Sequence, residues 1–184
     1  MTDGINDSWI LFTEEENAID CLEKARCFLA LAKQNPINWK WVILALHDAL
    51  YGFAVCALKG IHHDHVYKQR NRACQKRSLI TLDEAISKCQ KPEIMKGFIG
   101  SNPLCLTETQ RQSIKEMKEM RNNFAHYIPK IWVVSAENFP RIVNDVLDVI
   151  YFLAIDSQTN INVLKEKEKI ENLVAACKLI LEKQ

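Results

Sequence analysis

Apolar side chains recur three and four positions apart through most of this chain, the spacing that lines one face of an α-helix. Ile19, Leu22, Ala25, Leu29 and Ala32 make the first such stripe. Thr13-Glu14-Glu15-Glu16 before it reads as a capping box, the Thr hydroxyl and the Glu16 carboxylate satisfying free backbone donors. The helix is predicted to run to about residue 33 and to end at Asn35-Pro36. A second helix, 39–59, lies between Asn38 as its cap and Gly60 at the C′ position. From Trp41 to Leu58 its only ionisable groups are His47, Asp48 and the Tyr51 hydroxyl. Those 18 residues sit at the lower edge for a membrane span. A charged Asp48 near the middle costs several kcal/mol in lipid, and no second span exists. A helix apolar nearly all round is better placed at the centre of a bundle or of a dimer.

Thr81-Leu82-Asp83-Glu84 is a second capping box, opening a short helix that Pro92 stops. Residues 92–106 are irregular, with Gly97, Gly100 and Pro103, and hold a turn of helix around 93–98. Thr107-Glu108-Thr109-Gln110 opens a long polar helix to about residue 127. Ile114, Met117, Met120 or Arg121, and Phe124 mark its inward face, while Arg111, Lys115, Lys118 and Glu119 are solvated. Residues 128–134 form an apolar, β-prone connection. A further helix begins at Ser135 or Glu137-Asn138, with Pro140 in its first turn, and runs to about residue 155. Asn160 caps a last helix, 161–183. The expected fold is all-α: one domain, 1–184, an antiparallel bundle of about five to six helices with its core over about 14–155.

Five Gly and five Pro in 184 residues fit long helices, and 48% hydrophobic with 26% charged residues is ordinary for a globular chain. A net charge of +1 does not announce a nucleic-acid partner, so any such binding rests on a local patch. The seven cysteines are odd in number and include no CxxC pair, which indicates neither a disulfide framework nor a zinc finger. Reduced thiols and a cytoplasmic location are the simplest expectation. Residues 1–8 carry Asp3 and Asp7 and no basic run followed by an apolar one, so no signal peptide is expected.

Two stretches carry chemistry. Residues 61–80 hold Lys68, Arg70, Arg72, Lys76 and Arg77 against Asp64 alone, with Tyr67 beside them. That is the footprint expected for a phosphate backbone; a solvated loop is the alternative. His62, His63, Asp64 and His65 crowd side by side, whereas zinc ligands on a helix stand four apart, so no metal is expected. The second stretch is Arg121-Asn122-Asn123-Phe124-Ala125-His126-Tyr127, at the end of the long polar helix. Arginine is a permanent cation whose planar fork fits phosphate oxygens, and histidine moves protons near neutral pH. Transesterification at an RNA phosphate needs both: a holder for the negative charge and a proton carrier. Residues five apart lie about 140° apart around a helix, so convergence needs the reach of Arg121 and an unwound helix end. The alternative is structural, with the cation opposing the helix dipole and the imidazole capping the last carbonyls. In the chemical reading, Asp48 or His47 faces the pair and orients it.

The helical order and this motif together resemble the HEPN superfamily (higher eukaryotes and prokaryotes nucleotide-binding). Its mark is Arg, four to six residues, then His, very often with Asn after the Arg; here it stands as Arg121-Asn122-Asn123-Phe124-Ala125-His126. Ala125 before the His and Tyr127 after it fit as well, and the resemblance covers about residues 14–155. It implies a metal-independent endoribonuclease without cofactor, dimerising so that two Arg–His pairs share one composite cleft. Arg121 would hold the scissile phosphate, His126 would exchange the proton, and Asn122 would orient the pair; Asn123 and Tyr127 would support them. Many members are toxins kept in check by an antitoxin protein, or parts of phage defence. Others keep the motif and only bind RNA, nucleotide or a protein partner. Members paired with small nucleotidyltransferases carry Glu-x3-Lys-x3 before the Arg, where this chain has Ser113 and Met117.

Overall fold

The computed structural model describes residues 10–68, 77–126, 129 and 131–183. It is an all-helical bundle. Among the described residues six helices have eight or more residues: α1 (Glu14–Ala32), α2 (Asn38–Ile61), α3 (Leu82–Cys89), α5 (Glu108–Ala125), α6 (Phe139–Tyr151) and α8 (Lys167–Glu182). Two single turns, α4 (Pro92–Met95) and α7 (Ile161–Lys165), complete the order, and α6 runs on as a π-helical turn over Phe152–Asp156. Among the described residues there is no β-strand, only an isolated antiparallel bridge between Tyr67 and Leu79.

All three capping boxes form. Thr13, Thr81 and Thr107 each accept from the backbone N–H three residues on, and Glu16, Glu84 and Gln110 return the bond. Asn160 also caps as expected, its Oδ1 accepting from the N–H groups of Asn162 and Val163. Asn38 does not cap. The helix already includes it, and its side-chain amide donates to the carbonyls of Leu31 and Asn35, closing the end of α1 instead. Gly60 is not at C′ either, because α2 continues to Ile61 and His62 stands at the C-cap. The last helix is broken at Glu166 into α7 and α8.

α2 is the hub. It packs against α1, α3, α5 and α6, and its residues Phe53, Ala54, Val55, Cys56, Ala57 and Leu58 are buried in succession, so every face of that stretch meets protein. Among the described helices α2 alone has the length and apolarity of a membrane span, with 56% of that window buried within the bundle. α1 runs antiparallel beside it: Gly52 stands against Ala18 and Trp41 stacks on Phe28 at 6.0 Å. Small residues at that first crossing bring the two backbones close. α8 closes the far side of α1 and α6.

The motif helix is pinned on two sides. On α6, Arg141 donates to the buried Ser113 Oγ at 2.8 Å and to Glu116 at 2.7 Å, and the Ser113 hydroxyl donates to Asp145 at 2.5 Å. On α3, Lys118 binds Asp83.

Candidate functional site

Met117 and Met120 of α5 are buried, and Arg121 beside them is half-buried. The helix ends because His126 turns to φ −98° and ψ 2°, its N–H closing the last turn on the Asn122 carbonyl at 3.1 Å. Arg121, Asn122, Asn123 and Phe124 therefore occupy the final turn, with His126 at the cap. Asn122, Ala125 and His126 are exposed, while Asn123 and Phe124 are half-buried.

The guanidinium of Arg121 donates to Asn122 Oδ1 at 3.3 Å. Among the described hydrogen bonds none joins Arg121 to His126, and none involves the His126 ring, so the ring does not cap the last carbonyls. The structure sets both groups on the rim of one helix end without closing them on each other. His47 is buried in α2 and its Nδ1 meets Asp48 Oδ1 at 2.8 Å. The Asp48 carboxylate also acts on Cys21 of α1, where burial first and this charge second push the thiol pKa up. The two groups engage each other on the α1 side, and neither hydrogen-bonds Arg121 or His126. Tyr127 lies outside the described residues.

The basic stretch joins the bundle close to α3. Lys68 N–H donates to the Ser78 carbonyl at 2.9 Å and Ile80 N–H to the Val66 carbonyl at 3.0 Å, holding the two ends of the segment side by side. Tyr51 of α2 donates its hydroxyl to the Ile80 carbonyl, which fixes the base of the segment. Arg77 pairs with Asp64 at 2.6 Å and its guanidinium lies 5.5 Å from the Tyr67 ring centroid. Lys68 pairs with Glu84 at 3.5 Å. The two described cations are thus matched to acids, more than composition shows. Arg70, Arg72 and Lys76 lie outside the described residues.

Adjacent contacts link this segment to the motif helix. Lys68 reaches Glu84, its neighbour Asp83 holds Lys118, and Arg121 stands three residues further along α5. Three residues of helix rise about 4.5 Å. Lys68 is therefore linked through Glu84, Asp83 and Lys118 to the helix that carries Arg121.

The histidine cluster is a single 3-10 turn, His63–Val66. Its His62 ring accepts from the Asp64 N–H, and His65 is held below its ordinary pKa by burial first, then by His62 and Lys88, against the pull of Asp64. Among the described residues no three His, Cys, Asp or Glu side chains converge as metal ligands. Buried Cys56, Cys89 and Cys177 have thiols pushed up to about 12, mainly by desolvation, and are not nucleophiles at neutral pH.

The helical pattern misses one feature. Phe124 meets Trp132 at 4.9 Å, and Trp39 stacks flat on Phe139 at 4.8 Å, around a cavity of about 250 Å³ at the end of α5. Alternation in 131–134, with Ile131 and Val133 exposed and Trp132 and Val134 turned in, is the local signal for it. The chain matches no family model, no curated protein and no solved structure.

Proposed function

We propose that the chain is a HEPN-type, metal-independent endoribonuclease acting as a homodimer. The observation that carries this reading is the last turn of α5, which sets Arg121, Asn122 and His126 at one open helix end, on a helix that Lys118 and Asp83 tie to the α3 end bearing Lys68. In the reaction, the 2′-oxygen bonds to phosphorus and the P–O5′ bond breaks. His126 takes the 2′-hydroxyl proton or supplies one to the leaving 5′-oxygen, and Arg121 holds the charge on the phosphoryl oxygens. Products are a 2′,3′-cyclic phosphate and a 5′-hydroxyl. Asn122, already bonded to the guanidinium, orients it. A second copy supplies the second Arg–His pair that completes the cleft. A toxin or phage-defence role follows from the same resemblance.

A binding module without cleavage is the second reading. It is favoured by the geometry of Arg121, which turns to Asn122 and not to His126. Incubation of the purified protein with structured and unstructured RNA in EDTA, beside Arg121→Ala and His126→Ala, separates the two. Cuts made by the wild type and lost in both variants support the nuclease. Tight RNA binding with no product under single-turnover conditions supports the binding module.

A further inference from the structure

We infer that the groove between α3 and α5 is the path by which an RNA strand reaches the Arg–His motif, its phosphates held by Arg111 and Lys115; this rests on the RNA reading above. The groove measures about 270 Å³. Arg111, Lys115 and Lys118 line its α5 wall, Asp83 is the one acid among its lining residues, and Ile86 and Leu106 are part of its apolar floor. Lys118 already binds Asp83. Arg111 and Lys115 are exposed, and among the described residues neither side chain has a hydrogen bond or an ion pair. Two unmatched cations in one groove attract anionic groups. The two larger grooves beside α1 do not: one is lined by three acids and three cations, the other by five acids and one cation.

Helical spacing joins this groove to the motif. Arg111, Lys115, Lys118, Asn122 and His126 stand at i, i+4, i+7, i+11 and i+15, which is one row along α5. The last step is held by the His126 N–H on the Asn122 carbonyl at 3.1 Å. Arg121 lies off the row, but its guanidinium reaches back to it at Asn122 Oδ1, 3.3 Å away. From Arg111 to Asn122 the row is about 16 Å long. One phosphate cannot span that length, so the ligand carries anionic groups in series. The row ends on the exposed imidazole that moves the proton in the proposed reaction, and that continuity favours RNA over an acidic peptide.

The test uses full-length His126→Ala protein, which keeps RNA intact, and a fluorescein-labelled oligoadenylate decamer, followed by anisotropy across a salt series. Arg111→Ala with Lys115→Ala should weaken binding and make the slope of log affinity against log salt shallower by ~1.4, from two phosphate contacts at ~0.7 each. Arg111→Lys with Lys115→Arg should keep both affinity and slope. Lys165→Ala with Lys167→Ala removes the same charge from α7 and α8 and should leave the slope unchanged. All four positions are exposed, so the fold does not depend on them. A slope unmoved by Arg111→Ala with Lys115→Ala, or moved as much by the control pair, overturns the groove. A deca-glutamate peptide bound as tightly as the decamer, through the same two cations, overturns RNA in favour of an acidic peptide. RNA bound through Arg111 and Lys115 yet never cut by the wild type leaves the groove standing and removes the nuclease. RNA cut through Arg121 and His126, at a rate that Arg111→Ala with Lys115→Ala does not change at subsaturating RNA, does the reverse.

Discussion

Gly60 and Thr159 meet backbone to backbone: a Cβ on Gly60 would stand 2.1 Å from the Thr159 carbonyl oxygen. The glycine lets the end of α2 approach the turn that leads into α7, where Asn160 donates to the Cys56 carbonyl at 3.0 Å. Gly60→Ala must push that turn away. Overpacking of this kind costs ~3 kcal/mol, of which the better helix preference of alanine returns at most ~1 kcal/mol. Gly100→Ala meets nothing within 4 Å and carries only the strain of φ +90°, on the order of 1 kcal/mol. Urea denaturation should rank Gly60→Ala as the less stable of the two; equal midpoints would show that α2 does not need this approach.

Ser113 is fully buried between α5 and α6, donating to Asp145 and accepting from Arg141. Ser113→Ala leaves the carboxylate and the guanidinium without the hydroxyl that joins them. The expected destabilisation is ~1–3 kcal/mol, read as a lower midpoint of unfolding. A variant as stable as the wild type would mean that the pair closes directly over the gap.

Glu84 is held below the usual carboxylate range, first by the Thr81 backbone N–H, then by the Thr81 hydroxyl, with a smaller pull from Lys68. The lowered pKa belongs to the folded state, so its contribution is fully present above the unfolded-state pKa and is lost as pH falls through the folded one. Stability should drop on acidification through and below the ordinary carboxylate range. Glu84→Gln should flatten that limb, measured as unfolding midpoint against pH; an unchanged slope would contradict the capping-box contribution.

Lys68 and Arg77 exchange their acid partners for phosphates if RNA follows the basic segment. Replacing both by Ala in the His126→Ala background should weaken RNA binding for every sequence. The slope of log affinity against log salt should become shallower by up to about 2. A slope that does not change would place the strand elsewhere.

Helix ends written in side chains are legible in the sequence. Thr13, Thr81, Thr107 and Asn160 cap where their local sequence says, because the signal and its partner lie within three residues. Asn38 and Gly60 depart from the local rule because their roles are tertiary: one closes the end of α1, the other admits Thr159. The apolar run of α2, with Asp48 in its middle, announces a place at the centre of the bundle, where its stretch 53–58 is buried on every face. The motif was legible as residues but not as geometry. Five-residue spacing leaves the directions of Arg121 and His126 open, and Asn122 takes the guanidinium. Trp39, Phe124, Trp132 and Phe139 come from four separate segments, and no local period could join them.

The rate of cleavage of one RNA in EDTA by the wild type, Arg121→Ala, His126→Ala and the double variant tests the central claim most directly. If both side chains act on one phosphodiester, each single change should lower the rate about 10²–10⁴-fold. The double variant should then fall well short of the product of the two losses, because groups acting on one transition state are not additive. Single variants that both cut as fast as the wild type would contradict the account.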